Sequence, residues 1–84
     1  MTKKEKDALT DMYRKAVFNY VMARDILSST DENDTNYNNA YAGWCEYQGI
    51  MNALWDILHN VCHMTEDDIY LITNQAETDA MQEL

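Results

Sequence analysis

Asp56, His59, Cys62 and His63 are the residues whose types and spacing come nearest to supporting chemistry. Two histidines four apart share one face of a helix and can grip a single metal ion, and Asp56 stands three residues before His59 on the same side. The set fails as a metal centre, because Cys62 falls on an apolar seam and imidazoles near a helix C-terminus are favoured by the helix dipole alone. Nucleophilic catalysis needs Cys45 or Cys62 beside a base, and Cys45 has only Glu46 and Asn52 near it in sequence. Asp31, Asn33 and Thr35 place oxygens at alternate positions, as a calcium loop does. The loop's turn glycine and closing glutamate are missing, however, with Asn36 and Ala42 in their places. No glycine-rich loop exists to hold a phosphate. The expectation is a non-enzymatic chain with no metal and no cofactor.

The elements that would position these side chains are helical. Proline is absent and Gly43 and Gly49 are the only glycines, which disfavours turn-rich and sheet architectures. Thr2 and Glu5 have the spacing of a capping box, opening a first helix over about 3–28 with Tyr13, Ala16, Tyr20, Ala23 and Leu27 inward. Residues 28–36 hold no apolar side chain and are rich in groups that compete for backbone hydrogen bonds, so they form a loop, with Asp34 or Thr35 as the next N-cap. The second helix spans about 36–62 and carries two apolar seams. One is Tyr47, Ile50, Leu54, Ile57 and Val61, and the other is Trp44, Gln48, Met51, Trp55, Leu58 and Cys62. Together they cover about 200° of helix surface, twice the stripe of an ordinary surface helix. Such a helix needs two partners, and the pattern assigns one seam each to the first and third helices. Thr65 caps the third, about 66–81, with Met64 and Ile69 spaced as a hydrophobic staple and Ile69, Ile72, Ala76 and Ala80 inward. The fold expected is all-α: one domain, 1–84, an antiparallel hairpin of two long helices closed by a shorter third as a three-helix bundle. Phe18, Val21 and Met22 are left over on the first helix as a face for self-association.

Charge bounds the function more than any motif does. The net charge is −9, and all six bases, Lys3, Lys4, Lys6, Arg14, Lys15 and Arg24, precede Asp25. From Asp25 onward stand twelve acids and no base, whereas solvated helices usually interleave the two signs. Nucleic acid and anionic membrane are poor partners for this surface; a basic protein surface is the natural one. No apolar run approaches the ~18 residues of a membrane span. Met1 to Lys4 leads into Glu5 and Asp7 rather than into an apolar signal segment, so a soluble, cytoplasmic protein is expected. Cys45 and Cys62, about 25 Å apart along one helix, cannot bridge each other.

In size, helical content and the acid array from Asp25 onward, the chain resembles the small acidic helical proteins that phages and mobile elements make against nucleic-acid enzymes, such as anti-CRISPR proteins. The likeness is one of character and carries no shared motif, and the basic N-terminal turn departs from a uniformly acidic mimic. It implies an inhibitor occupying the basic nucleic-acid-binding surface of an enzyme such as a CRISPR–Cas effector. The candidate contacts are Asp31, Glu32, Asp34, Glu66, Asp67 and Asp68, joined by Tyr37 and Tyr41, residue types that give contact area at low entropic cost. The alternative expectation is a structural or adaptor module that self-associates, a homodimer being the simplest form.

Overall fold

Two local signals fix the start of the first helix and the start of the last. In the computed structural model, which describes residues Met1–Leu84, α1 spans Lys3–Ser28. Its capping box is complete: the Glu5 amide donates to the Thr2 hydroxyl at 3.1 Å, and the Thr2 amide donates back to the Glu5 carboxylate. The helix α2 spans Tyr37–Asp56 and continues without a break into a π-helical turn, Ile57–Val61. The helix α3 spans Glu66–Glu83, two residues beyond the expected end, and the Thr65 hydroxyl accepts from the Asp68 amide at 3.1 Å. The molecule is all-α, with no strand.

The start of α2 differs from expectation. Asn36 occupies the N-cap without a side-chain bond. Asp34 serves two residues earlier, accepting the Asn36 amide on its carboxylate at 2.8 Å and the Tyr37 amide on its carbonyl at 3.1 Å. Asp31 holds the Asn33 amide in the same way, also at 2.8 Å. Both are Asx turns, in which a short carboxylate mimics a backbone carbonyl and brings the chain round.

The packing order also differs. The sequence places the doubly apolar second helix at the centre, but the central element is α1: α2 packs antiparallel along one side of it and α3 runs parallel along another, while α2 and α3 barely meet. Two features decide this. The face of α1 made by Tyr13, Ala16, Val17 and Val21 is buried, and Ala76 and Ala80 of α3 are buried against the body, where small side chains permit close approach. The π turn then redirects the exit of α2. Its last amides reach back five and six residues, Cys62 to the Ile57 carbonyl at 3.0 Å and Met64 to Leu58 at 2.9 Å. His63 ends it in the left-handed region at φ 57°.

The consequence falls on the spare surface. Val21 is buried and Phe18 and Met22 are half-buried, so the face expected to be free on α1 is largely covered. The uncovered face lies instead on the first seam of α2, where Ile50 is 42% and Val61 55% exposed although Leu54 between them is buried. The core is correspondingly small. Tyr13, Ala16, Val17, Leu54, Leu58, Ile69 and Ala76 form it, with Leu9, Met51, Trp55, Cys62, Met64 and Ile72 packed around. Truncating Leu58, fully buried at the junction of all three helices, is expected to cost about 2–5 kcal/mol, a large part of the stability of so small a domain. His63→Gly is expected to stabilise by about 0.5–1 kcal/mol, because glycine meets no Cβ penalty at a left-handed helix end. Urea unfolding followed by circular dichroism measures both, and a loss of stability in the glycine variant would contradict the assignment of that turn.

Candidate interaction surface

The carboxylates that the sequence singles out divide into two groups at opposite ends of a body 47 Å long and 23 by 19 Å across. Asp31, Glu32 and Asp34 sit in the loop between α1 and α2, all exposed. Two of them are partly engaged, since Asp31 and Asp34 each give one oxygen to an Asx turn. Only Glu32 is wholly free of the backbone. Tyr37 beside them is half-buried and Tyr41 is half-exposed. The aromatic run they belong to is bound inward. Trp44 stacks on Tyr20 of α1 with centroids 6.2 Å apart and leans on Tyr41 at 5.9 Å, and Arg24 lies 5.7 Å over the other member of the stack, Tyr20. The indole N–H of Trp44 is buried with no partner within the protein, which costs about 1–3 kcal/mol at such a site.

At the other end, Glu66, Asp67 and Asp68 fill the first turn of α3, where the helix dipole favours negative charge. All three are exposed. Neither they nor any other acid after Asp11 makes an ion pair: the molecule's two salt bridges, from Arg14 at 3.5 Å and Lys15 at 3.2 Å, both go to Asp11. Beside this turn α2 and α3 stand apart, leaving an open cleft of about 450 Å³ lined by Tyr13, Trp55, Glu66, Asp67, Tyr70 and Thr73. Sequence reading missed it, because its walls come from three separate helices. The one signal available was Tyr70, an aromatic residue two positions after three acids and off the inward stripe of its helix.

The histidines have structural placements. The His59 ring nitrogen Nδ1 lies 3.0 Å from the Met64 carbonyl, and its ring packs on Trp55 with centroids 4.9 Å apart. His63 lies beyond the π turn on a left-handed backbone, so the four-residue spacing no longer aligns the two imidazoles. No cluster of three metal-ligating side chains is present. Cys45 and Cys62 are both free thiols. No helix is long and apolar enough to cross a membrane.

No protein-family model, curated protein or solved structure matches this chain.

Tyr13 forms the floor of the cleft and the one side-chain hydrogen bond, part-buried, between α1 and α3. The Thr73 hydroxyl donates to the Ile69 carbonyl at 2.9 Å, so the Tyr13 hydroxyl donates to Thr73 Oγ1, at 2.7 Å. Burial pushes the phenol above its ordinary value of 10.0, and the Glu77 carboxylate adds to that. Thr73 offsets part of it, since its hydroxyl can turn to a phenolate. The folded pKa therefore exceeds the unfolded one. The stabilisation is complete below about pH 10 and declines as pH rises through the folded pKa, because the unfolded chain releases its proton first. Tyr13→Phe is expected to cost about 0.5–1.5 kcal/mol at neutral pH and to flatten the alkaline loss of stability. Urea midpoints at about pH 7 and pH 11 measure this, and an equally steep alkaline loss in the phenylalanine variant would refute the linkage.

Proposed function

We propose that this chain is a non-enzymatic acidic binding protein that occupies the basic nucleic-acid-binding surface of an enzyme, of which a CRISPR–Cas effector is an example. The observation that carries the reading is that none of the twelve carboxylates from Asp25 onward is paired within the molecule. Uncompensated charge of one sign destabilises a compact fold by self-repulsion and raises the rate of encounter with a surface of the opposite sign. Of the two acidic ends, the α3 end supports the reading better. Glu66, Asp67 and Asp68 project from a rigid helical turn beside exposed Tyr70 and Leu71, which supply the apolar anchor area that a charged rim lacks. The loop end contributes Glu32, Tyr41 and the outer oxygens of Asp31 and Asp34. The two ends are too far apart to fill one small pocket, but they suit an extended channel that normally holds a nucleic-acid backbone.

The test is competition. Purified nucleic-acid enzymes, CRISPR–Cas effectors among them, are assayed for target-DNA binding with and without the protein across a salt series. Inhibition is expected to weaken steeply with salt, as exposed charge contacts do beyond a Debye length of about 8 Å at physiological ionic strength. It is also expected to vanish when Glu66, Asp67 and Asp68 are all changed to lysine. Inhibition that survives either change would overturn the electrostatic mechanism.

A second reading, self-association, is favoured by one specific feature. A shallow apolar groove of about 220 Å³ runs between α1 and α2, lined chiefly by Met12, Ala16, Tyr47, Ile50 and Leu54. A strictly monomeric mass by light scattering up to high protein concentration would remove this reading, and Ile50→Glu separates it from the first, since that residue is remote from both acidic ends.

A further inference from the structure

The cleft beside the π turn combines features that the electrostatic reading alone does not require. Its walls are aromatic: Tyr13 at the floor, Trp55 from α2 on one side and Tyr70 from α3 on the other, with Glu66 and Asp67 at the rim. Tyr13 and Trp55 are held in place. Tyr13 is pinned by its bond to Thr73, and the Trp55 ring is backed by His59, whose own ring is anchored at the Met64 carbonyl. Tyr70, by contrast, is 63% exposed, a large aromatic surface open to solvent. The Glu77 carboxylate, one turn beyond Thr73, lies near enough to act on Tyr13, and no base lines the cleft.

Aromatic faces carry partial negative charge, and carboxylates carry it in full, so both attract a cation and repel an anion. Flat walls further discriminate between cations. A guanidinium is planar and weakly hydrated, stacks on an aromatic face and presents a fork of donors to a carboxylate at its edge. An ammonium is a compact, strongly hydrated point charge that gains less from a flat wall. We propose that the cleft takes an arginine side chain of the partner protein, its guanidinium stacked against Tyr70 and Trp55 and its N–H groups donating to Glu66 and Asp67. This deepens the proposed function and rests on its basic partner: the α3 end would read one arginine at a defined place rather than a diffuse positive field.

The molecule holds its own control, because Trp44 lies three turns of α2 away from Trp55, about 16 Å along the helix, and outside the cleft. Titrating N-acetyl-arginine methylamide into ¹⁵N-labelled protein and following the two indole N–H resonances, assigned with Trp55→Phe, is expected to move Trp55 saturably and leave Trp44 in place. The lysine analogue is expected to bind about fivefold more weakly or less. Tyr70→Ala and the pair Glu66→Gln with Asp67→Asn, all at exposed positions, are each expected to weaken the arginine response about fivefold, with circular dichroism confirming the fold. Equal movement of both indoles, no saturable movement, or an equal response to lysine would overturn the proposal. The outcomes also separate it from its parent: a flat arginine titration alongside salt-sensitive inhibition sinks only the arginine cleft, whereas a saturable arginine response with inhibition indifferent to charge reversal sinks only the electrostatic mechanism.

Discussion

The structure depends on a single helix burying two neighbours at once. Tyr13, Ala16, Val17 and Val21 of α1 are nearly or fully withdrawn from solvent because α2 covers one flank and α3 another. Tyr13 contributes the most area, Val17 and Val21 less, and Ala16 acts mainly by letting backbones come close. Nine residues are buried in the whole molecule, none of them charged. At about 25 cal/mol per Å² of apolar surface removed from water, so few buried side chains leave a modest stabilising term against the ordering of the chain. The well-made helix starts at Thr2 and Thr65 therefore matter more here than they would in a larger domain.

What could be read from the sequence was what is decided locally. The capping box at Thr2 and Glu5, the Thr65 cap and the inward residues Ile69, Ala76 and Ala80 are all in place because each is settled within one or two turns of chain. The choice of central helix was not legible. Seam width on α2 states how much apolar surface exists and is silent on which neighbour covers it; that was decided by the alanines of α3 and by a π turn whose extra residue leaves no mark in ILHNV. The same turn dissolves the apparent pairing of His59 with His63, a spacing argument valid only on an uninterrupted α-helix. In the loop, the acids that look like a binding array include two, Asp31 and Asp34, that are also turn formers. A string of carboxylates reads alike in either role. The cleft was invisible for the opposite reason, because its walls meet only through tertiary packing.

The electrostatics of the fold are asymmetric from end to end within each helix. The acids at the start of α3 lie where its dipole welcomes them, whereas the last turns of α1 and α3 have no cation to meet their exposed carbonyls. Favourable placement at one terminus thus offsets part of the repulsion among like charges, and the other termini are left to water. An approaching cationic surface would relieve both, which links the uneven charge of the sequence to the geometry of the two ends.

Because α3 leans on α1 and hardly touches α2 before its π turn, the two outer helices share a spine and join one another chiefly at the core around Leu54, Leu58 and Ile69. Opening the C-terminal half of α3, which lies away from that junction, does not oblige α2 to open. Over its C-terminal half α3 is held by Ala76 and Ala80 and little else of size, which makes that half the least anchored stretch of helix in the fold. A protein built this way can let one arm adjust its angle on contact without unfolding the rest.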